Sequence, residues 1–309
     1  MRRGRRRCPC PSITTLLVVS VLLASTSSPA AQITQRRFAS VDDATTSLVA
    51  ALRSNDQKAL VAILGPEGRP LLSSGDAVTD RNIRERFLAA YDRAHRVEGS
   101  GGKVTLYVGE DDFPLAIPLV PDRDAWRFDT KAGKEEILNR RLGQNELAAI
   151  QTCLAYVDAQ REYYAEDRNA DGLREYAQRF ASTPGKHDGL YWEAKEGEPP
   201  SPLGPLVVSA RGEGYRRGEK PTPYHGYFYR ILTAQGPAAP DGAYDYLAHG
   251  RMIGGFALVA FPAQYGVSGV MTIIVNHDGV VYQKDLGPDT VALARAMKTF
   301  NPDRTWTKV

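Results

Sequence analysis

The sequence predicts an α+β fold in two parts, and three features of its 309 residues predict it. Apolar residues recur at helical spacing as far as Arg96, then at a period of two from Val104. A long helical pattern, Glu146 to Ala165, follows that meander. A second group of strand patterns, between Gly226 and Lys284, follows the helix. Spacing of three and four residues marks a helix with one buried face, and alternation marks a half-buried strand.

The amino end has the order of a secretory leader: Arg2, Arg3, Arg5, Arg6 and Arg7, the apolar run Leu16 to Ala24, then small residues to Ala31. The apolar run is about ten residues, and a membrane-spanning helix needs about twenty. The reading is therefore a signal peptide at 1–31, export to the periplasm or beyond, and no stable membrane span once the leader is cleaved. The chain carries 39 basic and 36 acidic residues, and the leader holds five of the basic ones and no acid. The mature chain keeps 34 basic against 36 acidic residues, a balance of −2, which argues against nucleic acid as a partner. Cys8 and Cys10 leave with the leader, so Cys153 stands alone and reads as a small buried hydrophobe.

In chain order, residues 32–39 read as a flexible lead-in. Ser40 caps a helix carrying Val41, Ala44, Leu48, Ala51 and Leu52, and a second helix runs from Gln57 to Leu64 and stops at Gly65-Pro66. Gly65 to Gly75 is expected to be loop. Asp80 is expected to cap a third helix, Arg81 to Arg96, with Ile83, Phe87, Leu88 and Tyr91 on its apolar face. Val104 to Val108, Leu115 to Val120 and Trp126 to Phe128 read as strands. Lys134 to Arg141 return to helix, with a break at Gly143, which gives domains at 32–141 and 142–309. In the long helix the expected stripe is Leu147, Ile150, Leu154 and Val157, widened by Cys153, Tyr156 and Tyr163. Leu173 to Phe180 and Pro205 to Gly212 read as short helices. Gly226 to Ala234, Gly255 to Ala260, Val270 to Val275 and Val280 to Lys284 read as strands, the last two joined by the turn Asn276-His277-Asp278-Gly279. Asp289 and Thr290 open a final helix ending near Phe300, and Trp306 is expected to pack on a core edge.

Helices first and a closing meander afterwards, ending at Trp126-Arg127-Phe128-Asp129, resemble the NTF2-like cone fold. A second set of phrases includes Asn145-Glu146-Leu147-Ala148-Ala149-Ile150, Tyr224-His225-Gly226-Tyr227, Gly250-Arg251-Met252-Ile253-Gly254-Gly255-Phe256 and Val275-Asn276-His277-Asp278-Gly279. Together they resemble an exported bacterial family catalogued as domain of unknown function 2950, over nearly all of residues 39–309. That resemblance implies no activity and no catalytic residues. Residues 144–284 also resemble pseudopilin globular domains, with the helix opening Asn145-Glu146, the Tyr176-Ala177 segment and strands around Phe228 and Leu258. A pilin joins its apolar helix directly to this one. Here about a hundred residues intervene, so the likeness implies domain shape and not filament assembly.

Asp167, Asn169 and Asp171 alternate before Gly172, as a calcium loop begins. The pattern predicts a structural Ca²⁺ clip held by Asp167, Asn169, Asp171, the Leu173 carbonyl and Glu175. Gln178 stands where the loop's bidentate Glu belongs, and the plain alternative is a polar turn. The five histidines show no metal spacing. His277 beside Asp278, and His225 among Tyr224, Tyr227 and Tyr229, are the two histidines with catalytic or ligand-contacting alternatives. Ser73 and Ser74 lack a nucleophile elbow, and Gly250 to Gly255 lack the Lys-Ser/Thr of a phosphate loop. The functional expectation is an exported, non-enzymatic binding or structural module whose partner is an envelope protein or a small apolar ligand. The alternative is a periplasmic hydrolase acting on envelope polymers, with His225 or His277 near an acid.

Overall fold

The structure is a computed structural model of the chain. It describes Met1 and residues 34–100, 102–168, 170–216, 218 and 221–309. The leader segment (Met1 apart) and Asn169 lie outside the described residues. Residues 33–309 form one compact unit.

Four helices open it: α1 (Val41–Arg53), α2 (Gln57–Leu64), the short α3 (Arg69–Leu72) and α4 (Ala77–Arg93). Ser40 caps α1 as expected, its hydroxyl accepting from the Asp43 amide at 3.0 Å. From residue 34 the lead-in is packed down instead of flexible. Phe38 is buried and bridges Trp126, and the Gln35 side chain donates to the carbonyls of Ile63 (3.0 Å) and Phe128 (2.7 Å). Gly65 to Gly75 is not all loop, because Pro66–Gly68 makes a 3₁₀ turn before α3. The cap of α4 is Asp76, not Asp80. Asp76 Oδ1 accepts from the amides of Val78 and Thr79, both at 3.1 Å, while Asp80 turns back to accept from the Ser74 amide and hydroxyl. The helix also ends three residues early, because His95–Ser100 leaves it as strand β1 and pairs with β2 (Lys103–Val108).

The strands β1, β2, β3 (Phe113–Pro114), β4 (Leu119–Asp122) and β5 (Ala125–Phe128) form an antiparallel sheet ordered β1-β2-β4-β5, with β3 on β2. Its core partners are Leu48, Leu60, Ile63, Ile117, Leu119 and Phe128.

Helix α5 (Thr130–Tyr164) is continuous for 35 residues, about 52 Å at ~1.5 Å per residue. No break falls at Gly143, since a methyl there would meet nothing within 4 Å and α5 continues past it. Gly133, on the same helix, is where a glycine is needed: a Cβ would lie 2.3 Å from the Ala116 carbonyl oxygen. The buried stripe is Asn145, Ala149, Thr152, Cys153, Tyr156, Val157, Gln160 and Tyr163. Leu147 and Leu154 are exposed, so the true face is rotated away from the leucines. It is rotated because the turn into β12 and the segment around Ala177 present polar backbone that Asn145, Glu146 and Gln160 satisfy. Glu146 Oε1 accepts from the Val270 and Met271 amides (2.9 and 3.1 Å), and Gln160 donates to the Ala177 carbonyl and accepts from its amide, both at 2.8 Å.

After α5 the chain is irregular to α6 (Gly204–Glu213), and the helix expected over Leu173 to Phe180 does not form. There the backbone pairs sideways: the Ala177 amide and carbonyl go to Gln160, and the Tyr176 amide donates to the Met252 carbonyl at 2.7 Å. Next come β6 (Tyr227–Leu232), β7 (Ala234–Gln235), β8 (Tyr244–Asp245), β9 (Leu247–Ala248), β10 (Arg251–Met252), β11 (Ala257–Pro262), β12 (Met271–Asn276), β13 (Val281–Asp285), α7 (Thr290–Ala296), β14 (Thr299–Phe300) and β15 (Thr307–Lys308). The main sheet is ordered β15-β13-β12-β11-β6, with every pairing antiparallel. Leu258 faces Val275 and Val275 faces Val281, so the expected strands and hairpin form in register. The last helix stops at Ala296, not near Phe300, because Thr299–Phe300 turns to pair in parallel with β7. Phe256, Ala257 to Ala260 and Ile273 to Val275 are wholly buried in one core with α5 residues, where the Tyr156 and Phe256 rings meet edge to face at 5.6 Å.

Candidate functional site

Two cavities lie against helix α4. None of its 17 residues is buried, although Ile83, Phe87, Leu88 and Tyr91 form an apolar face. An amphipathic helix normally buries that face. Here Ile83 and Phe87 line an open, apolar cavity of about 190 Å³ together with Leu48 and Leu52 of α1, Leu60 and Leu64 of α2, Leu71 and Leu72 of α3, Leu115, Ile117 and Ile137. A dry apolar cavity of ~150 Å³ holds a benzene ring. Five polar or charged side chains also line it: Asn55, Gln57, Asp80, Arg84 and Arg141. Arg141 is 7 % exposed. Its Nη1 and Nη2 donate to the carbonyls of Pro70 (2.9 Å) and Leu71 (2.6 Å), and its buried Nε has no hydrogen-bond partner among the described residues. Burial pushes its pKa down from the ordinary arginine value, and the Asp80 charge opposes that.

The other side of α4 faces a polar cleft of about 760 Å³, lined by Thr79, Asn82, Glu85 and Arg86 of α4, Gln144, Asn145 and Ala148 of α5, and Glu213 and His225. Thr79 of that lining bonds Asp76, which is 1 % exposed. Asp76 Oδ2 accepts from the Tyr215 hydroxyl (2.7 Å), the Gly226 amide (2.9 Å) and the Thr79 hydroxyl (3.2 Å). Tyr215 in turn accepts from the His225 amide at 3.1 Å. One carboxylate thus ties the start of α4 to the turn at residues 224–226. That turn is left-handed twice over, at φ +49° for His225 and +75° for Gly226, and only glycine fits the second position, since a Cβ would sit 2.5 Å from Asn145 Nδ2. The turn presents His225, whose Nε2 lies 3.2 Å from Glu213 Oε2. The Tyr224 hydroxyl donates to Glu213 Oε1 at 3.5 Å, and burial, helped by the Glu213 charge, pushes the Tyr224 phenol up to about 12.

His277 is elsewhere, at the β12–β13 turn. Its Nε2 lies 3.4 Å from the Tyr244 hydroxyl and 3.8 Å from Asp278 Oδ1, and its ring packs edge-on against Tyr246 and Phe256. The two singled-out histidines do not share a site.

In the acidic turn, Asp167 Oδ2 accepts from the Gly172 amide (2.7 Å) and Asp171 Oδ1 from the Leu173 amide (3.0 Å). The Arg251 guanidinium binds both oxygens of Asp171 and reaches Glu175 Oε2 at 3.1 Å. A side-chain cation therefore stands between two of the carboxylates that the loop pattern assigns to Ca²⁺, and Asn169 is outside the described residues. Among the described residues, no group of three or more His, Cys, Asp or Glu side chains is placed to hold a metal.

Sequence reasoning pointed to His225 and missed Asp76, Glu213, Tyr215 and Arg141. Asp76 had a legible signal, since Gly75-Asp76 before Ala77-Val78-Thr79 is a cap pattern. Arg141 had none, because its partners are 70 and 71 residues away in the chain, and nothing in the spacing of Glu213 marked its pairing with His225.

The fold and site define an α+β protein in which one helix separates an apolar cavity from a polar cleft. The chain belongs to the family described as protein of unknown function (DUF2950), whose model matches residues 35–309. Neither curated proteins nor solved structures give a match.

Proposed function

We propose that this protein is an exported, non-enzymatic binding module that holds a small apolar ligand in the cavity beneath α4. The observation that carries the reading is the unburied apolar face of α4: leaving Ile83 and Phe87 over empty space forgoes about 25 cal/mol for each Å² of apolar surface that packing would cover. A ligand restores that burial. Helices wrapped on the β1–β5 sheet support an NTF2-like reading of residues 32–141, and α5 lying on the β6–β15 sheet supports a pseudopilin-like reading of residues 142–309. The Arg-rich, apolar, small-residue order of residues 1–31 supports export, with no span left after cleavage. Among the described residues, no helix is long and apolar enough to cross a membrane.

The test is titration of the mature protein with octan-1-ol, followed by NMR shifts of the Ile83 and Leu60 methyl groups. Saturable shifts that vanish in Ile83→Trp, which fills the cavity mouth, are expected. Flat spectra for the wild type would remove the reading.

The pairing of His225 with Glu213 in the polar cleft favours a second reading, a hydrolase in which His225 activates water against an envelope polymer. Turnover of cell-wall material that is lost in both His225→Gln and Glu213→Gln would establish it. Activity unchanged in both variants would exclude His225 from catalysis.

A further inference from the structure

The apolar cavity has a charged rim, and the charges do not cancel. Arg141 and Arg84 bring two cations and Asp80 one anion. A buried guanidinium ordinarily sits on a carboxylate, because an unpaired charge out of water is costly. Arg141 is buried and forms no ion pair among the described residues; its only acceptors are two backbone carbonyls, and its Nε has none. Asp80 does not serve as that partner. Its two oxygens accept from the Ser74 amide (3.2 and 3.0 Å) and hydroxyl (2.7 Å), which hold it back against the loop before α4. Arg84, one turn along α4 from Asp80, makes no ion pair or side-chain hydrogen bond among the described residues.

We propose that the cavity's ligand is an amphiphile with a single anionic head, its short apolar tail lying among Leu60, Ile83 and Phe87 and its head held by Arg141 and Arg84. The proposal rests on the reading of the cavity as a ligand site and adds the chemical class. Guanidinium groups suit a carboxylate because their N–H donors match its two oxygens, and such charge-assisted bonds are about twice as strong as neutral ones. An anion beside Arg141 opposes the effect of its burial in the way the Asp80 charge already does. The length of the tail follows from the volume: 190 Å³ takes a group somewhat larger than benzene, not a long acyl chain.

Octanoate and octan-1-ol have the same tail and differ in the head. Binding of each to the full mature protein is measured by calorimetry at pH 7.5 in low and in 0.5 M salt. Octanoate is expected to bind at least tenfold more tightly than octan-1-ol in low salt, and the gap should narrow in high salt as screening grows. Arg84→Gln, which breaks no ion pair or side-chain hydrogen bond among the described residues, should cut the octanoate advantage several-fold and leave octan-1-ol unchanged. Arg141→Lys keeps the charge and loses the planar fork, so it should reduce the same advantage; circular dichroism and melting identify any loss of fold in that variant. Equal binding of the two ligands, or an octanoate advantage that Arg84→Gln leaves intact, overturns the anionic head and leaves the cavity reading standing. Failure of both ligands to bind overturns the cavity reading itself.

Discussion

Replacing Asp76 tests the joint between α4 and the His225 turn. In Asp76→Ala the helix loses its cap, which costs about 1 kcal/mol. The Tyr215 hydroxyl can rotate to Thr79 Oγ1, 3.0 Å away, but the buried Gly226 amide keeps no partner. An orphaned buried donor costs about 1–3 kcal/mol. The total is about 2–4 kcal/mol, a large share of the ~5–15 kcal/mol that holds most domains. Asp76→Asn separates the contributions. Its amide either keeps the cap and turns an NH₂ toward the Gly226 amide, or satisfies Gly226 and turns the NH₂ toward the Val78 and Thr79 amides. One donor is left facing a donor in both cases, so the cost falls to about 1–3 kcal/mol. Urea unfolding reads both variants as a shift of midpoint at unchanged slope. If both lie within about 0.5 kcal/mol of wild type, a water or a backbone shift replaces the carboxylate, and the account of the joint is wrong.

Four further outcomes follow from particular contacts. Gly143→Ala should stabilise the protein by about 0.5–1 kcal/mol, since α5 is continuous there and the new methyl meets open space, whereas Gly133→Ala should destabilise it by more than about 1 kcal/mol against the Ala116 backbone; thermal melting ranks the two. Burial pushes the Cys153 thiol well up, so Ellman's reagent should leave it untouched in the native protein and label it fully in denaturant; fast native labelling would contradict its packing. Desolvation pushes the Asp188 carboxyl up, but the Thr183 amide (2.7 Å) and hydroxyl (2.8 Å), with Arg179 at 3.5 Å, hold it below the ordinary carboxylate value. A depressed folded pKa adds stability above the ordinary range that is lost as pH falls through the folded value, so Thr183→Val and wild type should differ near neutrality and converge in acid. Arg251→Ala removes the cation between Asp171 and Glu175, so millimolar calcium should raise its melting temperature more than it raises that of wild type, and equal responses would mean that the turn takes no calcium.

Local chemistry was enough to place what depends on neighbours in the chain. Ser40 caps α1 because its hydroxyl meets an amide three residues away, and the alternation from Val270 to Lys284 builds β12 and β13 because period two puts every second side chain on one face. The α+β class follows from the same periodicities. Tertiary structure decided wherever a distant group competed with a local preference. Leu147 and Leu154 are exposed, yet α5 faces inward with Asn145, Gln160 and Tyr156, because buried backbone at Ser268 and Ala177 demands hydrogen bonds that leucine cannot supply. Leu173 to Phe180 could coil, but its backbone finds Gln160 and Met252 instead. The joint at Gly226 and the cation in the cavity belong to this second kind. Asp76 and Gly226 are 150 residues apart, and Arg141 reaches a carbonyl 71 residues away. No window of sequence holds both ends of such a contact, so only the folded chain brings the carboxylate to the turn and the cation to the cavity.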